Sequence, residues 1–130
     1  MTTPNNQRYT EDHEWARLEA DGTVTVGITI HAKDALGDVV FVDLPPIGKT
    51  FSTKGTLGVI ESVKTVSDMY APCDGEVIAV NDDLRSTPEL VNQDPYGAGW
   101  IARLRPAAGS GLDHLKTAAE YDAYCATLDH

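Results

Sequence analysis

Alternation of apolar and polar residues predicts short β-strands along most of the chain. Residues 22–29, Gly-Thr-Val-Thr-Val-Gly-Ile-Thr, place threonine and valine on opposite faces, as in a half-buried strand. Proline and glycine close several such runs, as Pro45 and Pro46 do after residues 38–44. Strands are predicted on this basis over residues 22–29, 38–44, 56–62, 66–71, 76–80 and 100–104. The pattern is therefore typical of a mostly β fold.

Two segments are predicted to be helical. A short inner helix over residues 29–36 has Thr29 as its N-cap and Gly37 as its stop. Apolar residues at helical spacing predict a C-terminal helix over residues 110–128, with Ser110 as its N-cap. Residues 81–96 are rich in proline, asparagine and aspartate and are predicted to form a loop. The whole chain, 1–130, is expected to be a single domain with a flexible N-terminus over residues 1–8.

Composition excludes two classes of partner. Ten basic residues stand against 20 acidic ones, a net charge of -10 at pH 7, whereas binding of nucleic acid phosphates needs a cationic face. The longest unbroken apolar runs have four residues, as at 39–42 and 77–80, and are far shorter than the roughly 18 residues of a membrane-spanning helix. The polar N-terminus has no apolar signal-peptide core, so we expect a bacterial cytoplasmic protein, or a mitochondrial matrix protein if the chain is a processed organellar form.

No motif supplies a complete set of catalytic or metal-binding residues. The run Gly48-Lys49-Thr50 resembles the end of a phosphate-binding loop, but position 43 lacks the required glycine. His13 and Glu14 could act as an acid–base pair, but adjacent residues of a strand point to opposite faces. Histidine and cysteine do not cluster at metal-ligand spacing. The chain is therefore not expected to be an enzyme, and any reactive group would come from a cofactor.

Lys64 is the most informative single residue. It lies at the predicted turn between strands 56–62 and 66–71, where Val63 and Val66 are expected to pack inward and leave Lys64 and Thr65 exposed. A lysine at such a tip is accessible to a modifying enzyme. From spacing alone, an ordinary solubilising lysine is the better interpretation, so the surrounding sequence decides.

Residues 61–68, Glu-Ser-Val-Lys-Thr-Val-Ser-Asp, closely resemble the lipoyl-attachment motif of the glycine cleavage system H proteins. The resemblance runs from about Tyr9 to Trp100 and continues more loosely beyond. Blocks that resemble the family in the same order are 13–15, 27–32, 36–45, 88–92 and 94–100. The resemblance implies a lipoyl-domain-like barrel-sandwich hybrid fold, with the modified lysine at the tip of a hairpin.

Membership of this family would imply a carrier without catalytic activity of its own, with lipoate covalently attached to Lys64. The lipoyl disulfide would accept the aminomethyl group of glycine from glycine decarboxylase (P protein). The tetrahydrofolate-dependent aminomethyl transferase (T protein) would then take it, and dihydrolipoyl dehydrogenase (L protein) would reoxidise the dithiol. A lipoate ligase or lipoyl transferase is a further implied partner.

The resemblance also implies roles for residues around the arm. Glu14, His31 and Asp68 match family positions that line the cleft for the loaded arm. The alternatives are a solvated edge-strand residue for Glu14 and a helix-surface histidine for His31. Glu61, Ser62 and Asp68 are motif neighbours that a lipoyl ligase would recognise, although each could be an exposed polar strand residue.

Other protein classes remain to be distinguished. A biotin carrier domain would have methionine on both sides of its lysine, where this chain has Val63 and Thr65. A lipoyl domain of a 2-oxoacid dehydrogenase usually has aspartate before the lysine and lacks the block at residues 13–15. An H-like protein that mainly donates lipoate to other proteins, and a free-standing enzyme with an unrecognised site, are further alternatives.

Overall fold

The computed structural model describes residues 4–128. Its strands are β1 (Arg8–Tyr9), β2 (Glu14–Leu18), β3 (Val24–Ile28), β4 (Val39–Asp43), β5 (Thr50–Phe51), β6 (Thr56–Ser62), β7 (Val66–Tyr70), β8 (Gly75–Val80) and β9 (Ala102–Pro106). Its helices are α1 (Ile30–Leu36), α2 (Asp83–Ser86), α3 (Leu90–Gln93) and α4 (Ala118–Leu128).

Within residues 4–128 the strands form two antiparallel sheets. The larger sheet has the order β1-β2-β3-β9-β8-β5, and the smaller has the order β4-β6-β7. Both sheets contribute to one buried core, in which Val26 and Leu104 of the larger sheet belong to the same cluster as Val42 and Ile60 of the smaller. Burial of apolar side chains from both sheets is the main force that holds such a layered fold together. The predicted mostly β class is confirmed.

Helix α1 has the caps that its sequence predicts. The Thr29 Oγ1 accepts a hydrogen bond from the backbone N–H of Ala32 at 3.2 Å, which satisfies one of the unpaired donors of the first turn. Gly37 ends the helix at φ 74°, a conformation that glycine adopts without steric cost. The short inner helix is therefore confirmed, and it begins at Ile30 because Thr29 is its cap.

Residues 81–96 are not a loop throughout, because they contain the short helices α2 and α3. Each has four residues, too few for an apolar periodicity to be visible in the sequence. Tertiary hydrogen bonds hold the segment: the Asn81 amide Nδ2 donates to Ala98 O and to Trp100 O, both at 2.8 Å.

The C-terminal helix begins at Ala118, so the prediction of a helix from residue 110 is wrong at its start. Thr117 and Glu120 bond reciprocally at this end: Thr117 N donates to Glu120 Oε1 at 2.8 Å, and Glu120 N donates to Thr117 Oγ1 at 3.2 Å. This is a capping box, and it favours a start here over Ser110. The Ser110 hydroxyl instead accepts from Asp74 N at 3.0 Å. None of the helices in residues 4–128 is long and apolar enough to cross a lipid bilayer.

The expected flexible N-terminus does not extend to residues 7 and 8; residues 1–3 lie outside the described residues. Gln7 is buried, and its Nε2 donates to the Tyr9 hydroxyl at 3.1 Å. That hydroxyl donates in turn to Pro4 O at 2.6 Å. Arg8 lies in β1 and pairs with β2. Pairing with β2, and the backbone hydrogen bonds between Tyr9 and Lys116, therefore hold residues that look like a polar tail.

Gly27 of β3 makes room for the ring of Trp15. A Cβ at Gly27 would lie 2.7 Å from the Trp15 ring, which is fully buried and donates its Nε1–H to Pro95 O at 2.9 Å. We expect Gly27→Ala to lower the free energy of unfolding by about 2 kcal/mol through overpacking, as measured by denaturant titration. Gly111→Ala is the control, because a Cβ there meets no atom within 4 Å. Equal stability of the two variants would contradict this account.

Candidate functional site

Strands β6 and β7 form a hairpin with Lys64 exposed at its tip, as predicted. Ser62 N donates to Thr65 O at 2.8 Å and closes the turn. The Ser62 hydroxyl oxygen accepts from Lys64 N at 3.2 Å and from Thr65 N at 3.1 Å. The Ser62 side chain therefore holds the backbone of the tip, and the lysine is presented from a fixed turn.

Val63 and Val66 do not pack inward, contrary to the prediction. Their exposed fractions are 67% and 63%. The tip is held instead by hydrogen bonds, including one from Val63 N to Asp38 O at 3.0 Å. Val40 and Phe41 are exposed as well, because a register shift within β4 turns two successive side chains outward. Exposed apolar side chains therefore lie both at the tip and on the neighbouring strand β4.

The Lys64 side chain extends along Gly37, at the end of α1. A Cβ on Gly37 would lie 3.3 Å from Lys64 Cε and 3.4 Å from its Cδ. Asn92 of α3 fixes this backbone, because its Nδ2 donates to Gly37 O at 2.7 Å and its Oδ1 accepts from Val39 N at 2.8 Å. Sequence reasoning missed this role of Asn92, although the residue lies in one of the blocks that resemble the family.

A cavity of about 230 Å³ lies beside α1 and β7. The residues that line it include the apolar Leu36 and Ile60 and the acidic Glu14 and Asp68. Leu36 precedes Gly37, and Thr65, which follows Lys64, also lines the cavity. The cavity therefore begins close to the Lys64 side chain, and two of the predicted cleft residues meet in it. Its chemistry suits a short apolar chain that ends in a hydrogen-bond donor or a cation.

Glu14 is buried, with an exposed fraction of 2%, and is not a solvated edge-strand residue. The Thr10 hydroxyl donates to Glu14 Oε1 at 2.7 Å, and Tyr70 N donates to Oε2 at 3.1 Å. Burial disfavours the charged form and raises the pKa of Glu14 from its ordinary 4.5 to about 7, while these two hydrogen bonds act in the opposite direction. Near neutral pH the carboxyl group therefore exists in both protonation states.

Glu61 and Asp68 lie on the outer face of the smaller sheet. Glu61 pairs with Phe41 of β4 and with Val66 of β7, and directly paired residues project to the same face. Glu61 is half-buried between these two exposed apolar side chains, whereas Asp68 is exposed. A protein that bound this face would contact Glu61 and its apolar neighbours together, whereas the Ser62 hydroxyl is already engaged within the turn.

His31 does not line the cavity, so its placement does not support the predicted role in the arm cleft. Its ring stacks on that of His13, with centroids 4.2 Å apart and planes 26° from parallel. His13 in turn places Nδ1 2.7 Å from the hydroxyl of Tyr121 in α4. The prediction that His13 lies on a strand is also wrong, because it precedes β2 with a left-handed φ of 68°. These two histidines therefore pack α1, and the turn that precedes β2, against the C-terminal helix.

His13, His31 and Cys125 bring donor atoms within 4.8 Å of one another. Imidazole nitrogens direct their lone pairs in the plane of the ring, so stacked rings point them side by side. A tetrahedral metal ion needs lone pairs that converge on one point. The ring stacking and the contact between His13 and Tyr121 therefore pack this cluster together.

Known proteins resemble this chain over almost its whole length. A family model described as glycine cleavage H-protein matches residues 7–128. The glycine cleavage system H protein of Neisseria meningitidis is 55% identical over 118 residues, which cover 91% of this chain and 92% of that protein. Glycine cleavage system H protein 2 of Pseudomonas putida is 58% identical over 120 residues, which cover 92% of this chain and 94% of that protein.

A solved structure gives the same result for the fold. The crystal structure of a glycine cleavage system H protein from Mycobacterium marinum superimposes with a TM-score of 0.88 at 42% identity, over 95% of this chain and 99% of that one. The predicted lipoyl-domain-like barrel-sandwich fold and the family resemblance are thereby confirmed.

Proposed function

Because the chain belongs to the glycine cleavage H-protein family, we propose that it is a single carrier domain, residues 1–130, with lipoate attached to Lys64. Its function is that of the carrier protein of the glycine cleavage system. The relatives named above are H proteins, so a lipoyl domain of a 2-oxoacid dehydrogenase or a dedicated lipoate donor is not favoured. The observation that supports Lys64 as the attachment site is its exposure at a hairpin tip beside a cavity with two carboxyl groups.

The surroundings of Lys64 fit an amide-linked lipoyl group. The amine is accessible to a ligase, and the aliphatic stem lies along Gly37, next to Leu36 of the cavity lining. Amide formation removes the lysine charge, so the side chain can enter a partly apolar cavity without the cost of burying an ammonium group. When attached, lipoate supplies a disulfide that accepts the aminomethyl group of glycine and later releases it for transfer to tetrahydrofolate.

The residues of the cavity would hold this cargo. The amine of an aminomethyl group is cationic near neutral pH, and a carboxylate binds it through a charge-assisted hydrogen bond. Glu14 is placed to accept that bond inside the cavity, with Asp68 at its exposed side. Leu36 and Ile60 limit the access of water, which would otherwise remove the labile group.

The carrier would interact with the three enzymes of the glycine cleavage system and with one enzyme that attaches lipoate. These partners are glycine decarboxylase (P protein), aminomethyl transferase (T protein), dihydrolipoyl dehydrogenase (L protein), and a lipoate ligase or lipoyl transferase. Glu61 and its exposed apolar neighbours are the surface that the modifying enzyme would recognise next to Lys64. The carrier itself would catalyse no step; attachment to one chain would keep the intermediate at high effective concentration. We place it in the cytoplasm of a bacterium, as the bacterial relatives suggest.

A lipoate ligase supplied with ATP and lipoate is expected to add one lipoyl group, on Lys64 alone. Intact mass and peptide mapping measure the stoichiometry and the site. Lys49 and Lys54 are internal controls, because both are exposed but neither lies in the hairpin motif. An unmodified Lys64, or equal modification of Lys54, would overturn the proposed attachment site.

A further inference from the structure

Thr10 and Glu14 close a tight turn with both their backbones and their side chains. Thr10 N donates to Glu14 O at 2.9 Å, and His13 N donates to Thr10 O at 3.2 Å. The Thr10 Oγ1 accepts from Glu14 N at 3.0 Å and donates its own hydrogen to Glu14 Oε1 at 2.7 Å. The threonine hydroxyl therefore donates to and accepts from the same residue, four positions further along the chain.

We propose that Thr10 is a positioning residue, whose hydroxyl holds the Glu14 carboxyl group at the cavity wall where it receives the amine of the carried aminomethyl group. This inference rests on the proposed function of Glu14 and adds the residue that positions its carboxyl group. No general motif marks it in the sequence, because a threonine four residues before a glutamate is not a helix cap.

Two elements fix the two oxygens of the Glu14 carboxyl group. Thr10, from the turn, holds Oε1, and Tyr70 N, from β7, holds Oε2. Each carboxylate oxygen accepts two hydrogen bonds, so both retain a lone pair for an incoming ammonium group. Without the Thr10 hydroxyl, a buried oxygen would lose its donor, and the ionised carboxylate would become less favourable.

Glu14 lies between two cavities, and charged groups face it from both. Asp12 lines both. The cavity of about 230 Å³ also has His13 and Asp68, and a second cavity of about 140 Å³ also has Lys54, His114, Tyr9, Tyr70 and the Lys116–Glu11 ion pair. Asp12 raises the pKa of Glu14 and Lys54 lowers it. These are weaker influences than burial and the two direct hydrogen bonds. The Thr10 hydroxyl is the strongest influence that favours the ionised form.

Replacement of the hydroxyl by a methyl group of similar volume separates this role from packing. In the unlipoylated Thr10→Val variant, the pKa of Glu14, followed by carboxyl ¹³C NMR, is expected to rise by about one unit. In the lipoylated and aminomethylated carrier without the transferase, the lifetime of the cargo at pH 7 is expected to fall roughly two- to fivefold, as the ionised fraction falls. The difference from the wild type should shrink toward pH 9, where both carboxyl groups are ionised.

Two further variants serve as controls. Thr10→Ser retains the hydroxyl and is expected to restore both the pKa and the lifetime. Thr23→Val removes another threonine–carboxylate bond, from Thr23 Oγ1 to Asp21 at 2.6 Å, and should leave Glu14 unchanged. If Thr10→Val does not fold, as judged by circular dichroism, Thr10→Ala gives the same comparison.

The two measurements distinguish the ways in which the inference can fail. An unchanged Glu14 pKa in a folded Thr10→Val protein overturns the role of Thr10 and leaves that of Glu14 standing. A raised pKa with an unchanged lifetime overturns the amine-holding role of Glu14, and with it the use proposed for Thr10. A raised pKa together with a shortened lifetime, both reversed by serine, supports the proposal.

Discussion

The Lys64→Arg variant is expected to fold normally but to carry no lipoate, and glycine cleavage should fall to the background of a mixture without carrier. A guanidinium group cannot replace the lysine amine in the ligase reaction, and it remains protonated at any working pH. The side chain is exposed at a hairpin tip whose bonds come from Ser62 and the backbone, so the free energy of unfolding should change by no more than about 0.5 kcal/mol.

The measurement is the rate of glycine cleavage in a mixture reconstituted with the decarboxylase, the transferase and the dehydrogenase. Lys54→Arg is the matched control, because Lys54 is also exposed and also lies in a turn between strands. That variant should be lipoylated and active. Glycine cleavage above background with folded Lys64→Arg would show that the group is attached elsewhere.

Glu14→Gln is expected to shorten the lifetime of the loaded carrier by about tenfold at pH 8. The substitution preserves side-chain volume and an acceptor for Tyr70 N, but removes the charge that holds the amine. Burial raises the pKa of Glu14 to about 7, so the wild-type advantage should fade as the pH falls below 7 and the carboxyl group becomes neutral. Release of the aminomethyl group without the transferase, followed from pH 6 to 8, measures this effect.

The same substitution should change how stability depends on pH. The pKa of Glu14 is raised on folding from 4.5 to about 7, so its protonated form stabilises the folded state. That contribution is fully present below pH 4.5 and is lost as the pH rises through 7. Relative to Glu14→Gln, the unfolding free energy of the wild type should therefore fall by about 3 kcal/mol across this range.

Denaturant titrations of both proteins at several pH values measure this difference directly. Glu76→Gln removes a half-buried carboxylate that pairs with Arg105 at 3.6 Å, and it is the control for loss of a carboxylate at a site away from Glu14. If the difference in unfolding free energy between wild type and Glu14→Gln stayed constant from pH 4.5 to 8, burial would not raise the pKa of Glu14. An unchanged lifetime of the loaded carrier would remove Glu14 from the cargo site.

Patterns of short range predicted much of the fold correctly. Short-range patterns located β3, β4, β6, β7, β8 and β9, and Thr29 and Gly37 defined the ends of α1. Strands β1, β2 and β5 were not predicted. These features depend on neighbours within a few residues, which the sequence displays directly. The start of α4 was also readable from neighbouring residues, because Thr117 and Glu120 have the spacing of a capping box. The prediction overlooked this motif and placed the start at residue 110.

Side-chain orientation at the site could not be predicted in the same way. The register shift in β4 and the turn at the tip decide that Phe41, Val63 and Val66 are exposed, whereas hydrophobicity alone favours burial. Similarly, the sequence did not show that the ring of His31, which matches a family position for the arm cleft, stacks on that of His13. The left-handed backbone of His13 is imposed by the turn between Thr10 and Glu14.

The sequence by itself determined the family, the mostly β class and the position of Lys64 at a hairpin tip, because each of these depends on residues that are adjacent or regularly spaced in the chain. Only the tertiary structure decided that Glu14 and Asp68 share one cavity with the end of α1, that Asn92 fixes the backbone beside Lys64, and that burial brings the pKa of Glu14 to about 7. The reason is physical. Burial, cavity shape and the hydrogen bonds of a buried carboxyl group depend on atoms contributed by strands and helices that lie far apart in the chain.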